Sequence, residues 1–169
     1  MLLKEKVRPK NNLFIQCSTV IINENKQVLL GTKIDLKEET LRLIDEGILK
    51  AKWTLPSGKI EENESLEDCA IRELKEEFNV TRNNIRKFKK LDDIEKYFIL
   101  DGEPFMKRCS VYIAKLKDNF DYNTIIPQEN EIGQVGFFNR EEVMFLLNNG
   151  CLHYFTAQAL LLSMRKGFL

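Results

Sequence analysis

A short helix with one acidic and one apolar face, predicted between Ser65 and Asn79, constrains this chain more than any other feature. Ser65 followed by Asp68 forms a capping-box start, and Asn79 tolerates the left-handed conformation that ends many helices. At about 100° per residue, the apolar face carries Ala70, Ile71, Leu74 and Phe78. The acidic face carries Glu73, Glu76 and Glu77. The sequence therefore predicts a helix that presents three carboxylates together.

These three carboxylates have two interpretations. They could form an ordinary solvated surface, because like charges four residues apart cost only about 0.2–0.5 kcal/mol when they are exposed. They could also hold a hard divalent cation, since such ions take oxygen ligands. Pro56, Ser57 and Gly58 precede the helix in a predicted loop, where glycine lets the main chain come close to a ligand.

The wider spacing separates the two interpretations. Residues 58–80 contain Gly58, then Glu64, then Arg72 to Leu74, then Glu76 and Glu77, and finally Asn79 and Val80. This arrangement resembles the signature of the Nudix hydrolases, G-x5-E-x7-R-E-U-x-E-E-x-G-U, in which U is a bulky aliphatic residue. Asn79 stands where the family usually has glycine, and both residue types visit the left-handed region. Residues 55–61 resemble the usual lead-in.

The resemblance implies a fold, a reaction and a cofactor. The fold would be a Nudix-type α/β/α sandwich with a mixed sheet, within a single domain of residues 1–169. The reaction would be hydrolysis of a pyrophosphate bond in a nucleoside diphosphate linked to another group, with Mg²⁺ or Mn²⁺. The alternative is a sensor that keeps the fold and binds a nucleotide without cleaving it.

The resemblance also implies roles for particular residues. Glu76 and Glu77 would be the main metal ligands, with Glu73 as a ligand or as the base that activates water. The Ser57 carbonyl would supply a further ligand. Arg72 and Glu64 would pair, and so orient the helix against the loop.

A remote acidic residue before a late strand often completes such a site. Glu131 fits that place best, and Glu129 is the second choice. His153, the only histidine, is predicted at the surface or at a helix start rather than as a base. Cys69 lies beside the acidic face, but no partner in the sequence marks it as a nucleophile.

Three residues are candidates for substrate binding. Trp53 precedes the loop and would either pack in the core or rim a nucleotide pocket. Lys59 belongs to the lead-in. Tyr97 lies seventeen residues after Val80, about where diadenosine-polyphosphate hydrolases of the family carry a tyrosine. We expect a nucleotide or dinucleotide substrate, and capped RNA ends are the one nucleic acid that we retain as a candidate.

Composition narrows the class of protein. Lysine plus arginine equals aspartate plus glutamate at 26 each, so no overall charge recruits nucleic acid or a membrane. The four cysteines are scattered, which is typical of small buried residues in a reducing cytosol. No run approaches the roughly 18 apolar residues of a membrane span, and the N-terminus lacks a secretory apolar region. We predict a cytoplasmic protein.

Alternating hydrophobicity predicts the remaining elements. Residues 1–12 would be an arm or an edge strand. Strands are predicted over 14–22, 27–31, 53–55, 85–91, 95–100, 106–116 and about 132–138, with a hairpin turn at Asp101 and Gly102. Helices are predicted from Asn139 to Leu147 and from Phe155 to Met164.

Two surface segments keep alternative interpretations. Residues 32–52 resemble an insertion that holds a short amphipathic helix interrupted at Gly47. It would be a surface loop packed by its own leucines, or else a lid or a contact in a homodimer. The basic run from Arg86 to Lys90 would be a solvated strand face, or would steer polyphosphate toward the site.

Overall fold

The computed structural model describes residues 12–169, so the predicted arm lies outside the described residues except for Asn12. The strands are β1 (Leu13–Ile22), β2 (Val28–Lys33), β3 (Trp53–Thr54), β4 (Ser57–Lys59), β5 (Ile85–Leu100), β6 (Glu103–Leu116) and β7 (Ile132–Phe138). The α-helices are α1 (Glu38–Asp45), α2 (Leu66–Phe78), α3 (Arg140–Asn148) and α4 (Tyr154–Arg165).

The strands form one mixed sheet around β1. Strand β1 runs parallel to β6 and antiparallel to the short strand β4. Strands β5 and β6 form an antiparallel hairpin, which turns at Asp101 (φ 51°) and Gly102 (φ 79°) as the sequence predicted. Strand β2 pairs with β3 and β7, and it meets β1 at Ile22 and Val28.

Alternating residues of β6 separate the two faces of the sheet. Cys109, Val111 and Ile113 pack in a core with residues of α3 and α4. Ala114 points the other way, into a core with Leu74 and Phe78 of α2. Helices therefore cover both faces, and the predicted α/β/α sandwich with a mixed sheet is confirmed.

Helix α2 forms where its sequence predicted. Its N-cap, Ser65, accepts a hydrogen bond from the Asp68 amide (3.0 Å), and Asn79 ends the helix in the left-handed region at φ 56°. Leu74 and Phe78 are fully buried against the sheet. Each buried side chain of this size stabilises the fold by about 1.5–3 kcal/mol, so the apolar face fixes the rotation of the helix. That rotation sets where its carboxylates point.

Three local predictions differ from the structure. The predicted loop after Pro56 is partly a strand, because Ser57 to Lys59 pairs with β1. The two strands predicted over 85–100 are one strand of 16 residues, which accommodates its irregular pattern through bulges. Helix α1 forms within 32–52 and ends before Gly47 (φ 73°), yet none of its residues is buried. Among residues 12–169, no helix is long and apolar enough to cross a membrane.

Candidate active site

The acidic face of α2 lies against β4, and this contact builds the centre of the site. A Cβ atom at position 58 would lie 1.7 Å from Oε1 of Glu73, so only glycine leaves room for this carboxylate. The Ser57 amide donates a hydrogen bond to Oε2 of Glu77 (3.2 Å). Glu73 and Glu77 are 8% and 3% exposed, which rules out the solvated-surface interpretation for both residues. Glu76 is exposed at the edge of the same face.

Arg72 connects the carboxylates to β4. Its guanidinium donates to both carboxylate oxygens of Glu64 (2.8 and 3.0 Å), to Glu73 (2.6 Å) and to Glu76 (3.1 Å). It also donates to the Lys59 carbonyl (3.0 Å). The predicted pair of Arg72 and Glu64 is therefore present. The planar guanidinium of Arg72 fixes α2 relative to β4 through these hydrogen bonds.

Burial shapes the electrostatics of these carboxylates. Desolvation and, to a smaller extent, the neighbouring Glu73 together raise the pKa of Glu77 to about 8. Desolvation also raises the pKa of Glu73, although Arg72 opposes this shift. Hydrogen bonds from Arg72 lower the pKa of Glu64. The two buried carboxylates thus lie in a place where added positive charge would favour their ionised forms.

The donor set fits a hard divalent cation. Carboxylate and carbonyl oxygens are the ligands of Mg²⁺ and Mn²⁺, and Mg²⁺ usually takes one or two carboxylates and keeps several waters. Within residues 12–169, no group of three or more His, Cys, Asp or Glu side chains is arranged as a complete ligand set. Glu73 and Glu76 instead face Arg72. These carboxylate and carbonyl oxygens could therefore hold a cation whose remaining ligands are water and substrate.

Glu131 is the remote acidic residue that the fold brings toward this centre. Its carboxylate raises the pKa values of both Glu73 and Glu77, so it acts on them electrostatically. Gln128 donates a hydrogen bond to its Oε1 (3.2 Å), and its backbone carbonyl accepts from the Ile34 amide. Glu129 is exposed. Of the two predicted candidates, Glu131 is the one whose charge acts on Glu73 and Glu77.

A cleft of about 510 Å³ opens on the other side of β4. Four lysines line it: Lys33, Lys59, Lys96 and Lys107. Aromatic rings share its wall, namely those of Phe98, Tyr154 and Phe155. Ser57 and Gly58 form its floor, so basic groups and buried carboxylates lie on two sides of one short strand. Lys33 lowers the pKa of Glu77 across this boundary.

The N-terminus of α4 also faces the cleft. His153 is the N-cap and makes no side-chain capping bond, and its Nε2 is buried without a hydrogen-bond partner among the described residues. Burial lowers the pKa of His153, and Lys33 and Lys52 lower it further. Thr156 accepts a hydrogen bond from the Leu55 amide (3.1 Å), which ties the helix to the strand before the site.

The structure places the three predicted substrate residues differently. Lys59 lines the cleft, with its ammonium 5.8 Å from the centre of the Phe14 ring. Trp53 packs edge-on against Phe138 at 4.8 Å and lies outside the cleft lining. Tyr97 is 74% exposed and points away from the cleft, because a strand sends successive side chains to opposite faces. Its neighbours Lys96 and Phe98 line the cleft instead.

Several cleft residues were not found from the sequence. No sequence motif marks the lysines at positions 33, 96 and 107. They lie on three different strands, and only the folded sheet brings them together. The Lys96 and Lys107 pair was detectable in principle, because the hairpin turn at Asp101 and Gly102 places these two residues opposite each other. Nothing local in the sequence marks the start of α4 as part of the site.

These features define an α/β protein in which an acidic helix and a lysine-lined cleft share one strand. The sequence model of the NUDIX domain matches residues 15–158. The chain therefore belongs to the Nudix family, and the predicted family is confirmed.

Known relatives extend this assignment. The chain is 31% identical over 99 residues to the mRNA-decapping protein g5R of African swine fever virus (isolate Warthog/Namibia/Wart80/1980). The match covers 56% of this chain and 39% of the viral protein, so the chain matches about two fifths of that relative's length.

Solved structures share the fold. A Caenorhabditis elegans Ap4A hydrolase in a binary complex has a TM-score of 0.61 at 18% identity, over 90% of this chain and 96% of the other. The NUDIX domain of Shewanella oneidensis NrtR, complexed with ADP ribose, has a TM-score of 0.65 at 18% identity, over 91% and 88%. The MutT protein of Methanosarcina mazei Go1 has a TM-score of 0.64 at 18% identity, over 94% and 97%.

Proposed function

We propose that this protein hydrolyses a pyrophosphate bond in a nucleotide joined through phosphates to a second group, with Mg²⁺ or Mn²⁺ as cofactor. One observation carries the proposal: Glu73 and Glu77 are buried on one side of β4, and a lysine-lined cleft opens on the other. A cation and a polyanion would meet across this strand. The family assignment supports hydrolysis as the reaction.

Glu76, Glu77 and the Ser57 carbonyl would hold the cation, with Glu73 as a further ligand. Bound there, Mg²⁺ or Mn²⁺ would neutralise phosphate charge and polarise the anhydride toward attack by water. Arg72 would hold Glu73 and Glu76 at fixed positions through its hydrogen bonds. Because α2 is anchored by its buried apolar face, the helix would stay in place while the side chains of Glu73 and Glu76 turn from Arg72 toward the cation.

Glu131 would accept the proton of the attacking water at its carboxylate, and Glu73 is the second candidate for this role. Both carboxylates lie close enough to influence Glu77 electrostatically. Desolvation raises the pKa of Glu73, which suits its role as the second candidate, because a proton acceptor works best when its pKa approaches the working pH.

The cleft would hold the rest of the substrate. Its lysines would bind the phosphates, and the rings of Tyr154 and Phe155 would contact a base. One relative is an mRNA-decapping protein and one structural neighbour is an Ap4A hydrolase. Both names favour a substrate that carries a nucleotide, either an RNA 5′ cap or a dinucleoside polyphosphate.

A nucleotide sensor remains the second candidate. The similarity to a NUDIX domain complexed with ADP ribose supports binding of a nucleotide as such. The buried carboxylates on α2 favour the hydrolase, because binding alone requires no such cluster.

Two finer predictions accompany the proposed function. A cytoplasmic location is supported by the four cysteines, all of which are free thiols. A homodimer is supported by Ile48 and Leu49, which are 64% and 44% exposed in the segment after α1.

Product analysis by anion-exchange chromatography tests the proposal. The wild type is incubated with Mg²⁺ and then with Mn²⁺ on a panel of capped RNA, diadenosine polyphosphates, ADP-ribose, NADH, nucleotide sugars and ordinary and oxidised deoxynucleoside triphosphates. The variant Glu76→Gln should lose turnover by at least 100-fold while it keeps its circular dichroism spectrum, because Glu76 is exposed.

Glu67→Gln is the matched control. Glu67 is exposed on the first turn of the same helix, where its ion pair with Arg82 is long at 3.5 Å. This variant should retain activity within about twofold of the wild type. Equal activity in wild type and Glu76→Gln would refute the proposed metal site. Saturable nucleotide binding without cleavage of any compound would favour the sensor.

A further inference from the structure

Two polar side chains of β1 occupy positions where the strand otherwise contributes to the core. Residues 16, 18, 20 and 22 lie on the α4 side of the sheet, because successive side chains of a strand alternate between its faces. Val20 and Ile22 are apolar there and are 0% and 2% exposed. Gln16 and Ser18 are also deeply buried, at 8% and 1% exposed. We call Gln16 and Ser18 the polar pair.

The polar pair has hydrogen-bonding groups that the protein does not use. Within residues 12–169, neither side chain forms a hydrogen bond with a nitrogen or oxygen atom. Burial raises the pKa of the Cys109 thiol to about 11, and the nearby Gln16 carboxamide opposes this shift. A thiol is a weak hydrogen-bond partner, whereas a carboxamide carries two donors and an acceptor. Since most buried polar groups are paired, this pair requires an explanation.

Both members of the polar pair line the cleft. Gln16 and Ser18 face the same cavity of about 510 Å³ as the four lysines. Two other deeply buried polar residues of its lining are already engaged by the protein. Thr54 Oγ1 donates a hydrogen bond to the Leu55 carbonyl (3.0 Å), and Thr156 Oγ1 accepts one from the Leu55 amide (3.1 Å). A molecule in the cleft therefore meets unused hydrogen-bonding groups at the polar pair.

The neighbours of Gln16 suit different parts of a nucleotide. Gln16 is directly opposite Lys59 of β4, and opposite residues of an antiparallel pair lie about 5 Å apart. On its other side, Gln16 is opposite Cys109 of β6, which belongs to the core against which Phe155 packs. Lys59 and Phe155 both line the cleft. A positive charge, a neutral hydrogen-bonding group and an aromatic ring are therefore neighbours in one cavity.

This combination points to a nucleobase as the ligand of the polar pair. Both side chains are uncharged, so they suit a neutral group and leave phosphate to the lysines. A carboxamide presents a donor and an acceptor side by side, and it forms two hydrogen bonds with a base edge of complementary pattern, as glutamine does with adenine. The neighbouring aromatic ring suits the flat face of a base.

We propose that Gln16, together with Ser18, binds the hydrogen-bonding edge of the substrate's nucleobase and sets the base preference of the cleft. The proposal rests on the proposed function, since the cleft is the substrate site only there. Lys59 and the other lysines then hold the phosphates, and Phe155 contacts the face of the base. A site that hydrogen-bonds a ligand discriminates against an analogue that lacks the matching groups. Removal of the carboxamide should therefore abolish base preference and leave phosphate binding unchanged.

Isothermal titration calorimetry tests the polar pair without catalysis. The probes are ATP, GTP, CTP, UTP and inorganic tripolyphosphate, each in EDTA so that no metal-dependent cleavage occurs. The wild type should bind its preferred nucleotide at least tenfold more tightly than the weakest of the four, the discrimination expected of two hydrogen bonds to a base. Gln16→Met keeps the length of the side chain and removes its hydrogen bonds, so this preference should fall to about threefold or less. The Kd for tripolyphosphate should stay within about twofold of the wild-type value.

Gln134→Met is the matched control, because Gln134 is exposed on β7 and lies outside the cleft lining. It should keep the wild-type preference. Ser18→Ala removes a single hydroxyl and should reduce the preference about threefold, which provides a second test if circular dichroism shows that Gln16→Met is unfolded. A wild type that binds the four nucleotides equally, or binds none of them, would overturn the proposal. So would a preference that is unchanged in the folded variants of the polar pair.

Two further outcomes would overturn the assignment to the base. Equal weakening of tripolyphosphate and all nucleotides in Gln16→Met would mean that Gln16 supports the neighbouring Lys59. Equal weakening of the four nucleotides with unchanged tripolyphosphate binding would mean that Gln16 contacts the ribose, which all four share.

Hydrolysis separates this proposal from the proposed function. In the product assay with Mg²⁺ or Mn²⁺, Gln16→Met should raise KM for the preferred substrate at least tenfold and change kcat little, because the carboxylates of α2 lie on the other side of β4. A base preference that depends on Gln16 in a protein that cleaves no compound would support the base site and refute the hydrolase. Metal-dependent cleavage whose base preference is unchanged in Gln16→Met would support the hydrolase and refute the base site.

Discussion

Substitution of Gly58 by alanine tests whether β4 holds Glu73 in place. The new Cβ would lie 1.7 Å from Glu73 Oε1, whereas an ordinary contact is 3.4 Å or more, so the oxygen must move by about 1.7 Å. That displacement breaks the 2.6 Å hydrogen bond from Arg72. A misplacement of about 1 Å in a catalytic group can cost about 100-fold in rate, which is about 2.7 kcal/mol. We expect at least this loss of kcat/KM in Gly58→Ala.

The fold should largely survive, because the atoms that must yield are the far end of a side chain. The assay is metal-dependent turnover, together with the change in Tm on addition of Mn²⁺, which we expect to be a rise and which reports binding without a substrate. Gly136→Ala is the control, since a Cβ there meets only the Phe138 ring at 3.2 Å, and it should keep full activity. Unchanged turnover and an unchanged Mn²⁺ response in Gly58→Ala would refute the close packing of Glu73 against β4.

Three further predictions concern the groups around the site. Arg72→Lys should lower the free energy of unfolding by about 2 kcal/mol, because a single ammonium cannot replace the two hydrogen bonds to Glu64. Thermal unfolding should show this loss as a fall in Tm of roughly 4–8 °C. His153→Gln should remove a pH dependence of stability. Burial lowers the pKa of His153 in the folded protein, so the unfolded chain binds more protons below about pH 6.5. His153 therefore makes the free energy of unfolding increase as the pH is raised toward 6.5, and urea titrations at several pH values would measure this increase. Thr156→Val should cost about 1–3 kcal/mol in urea unfolding, because the buried Leu55 amide loses its acceptor.

Each of these predictions has a contradicting outcome. A Tm for Arg72→Lys within 1 °C of the wild type, about a quarter of the smallest predicted shift, would mean that the guanidinium network contributes little. Parallel stability curves for wild type and His153→Gln from about pH 5 to 7 would mean that burial leaves the histidine pKa unchanged. Thr156→Ser keeps the hydroxyl and serves as the matched control, so equal losses in both variants would assign the effect to packing.

Local patterns in the sequence predicted the acidic helix and its neighbours well. The cap at Ser65, the left-handed end at Asn79 and the hairpin turn at Asp101 depend on interactions within a few residues, and the structure has all three. The choice between a solvated and a buried acidic face was different. It required the position of β4, which pairs with β1 and not with its own neighbours in sequence.

The residues that line the cleft could not be predicted from their distance along the sequence. Tyr97 was chosen by its distance from the motif, but strand alternation gives the cleft to Lys96 and Phe98. Trp53 was also close in sequence, yet it packs against Phe138, which a different strand supplies. Distance along the chain does not determine which face of a sheet a side chain occupies.

The sequence by itself determined the family and the acidic helix, because both are encoded in one continuous motif over residues 58–80, and the same motif is the source of the prediction that its glutamates hold a cation. The tertiary structure alone decided that Glu73 and Glu77 are buried, and that lysines from three strands line one cleft. The physical reason is that burial, pKa and shared faces depend on which distant segments pack together, and these contacts are set by the whole sheet.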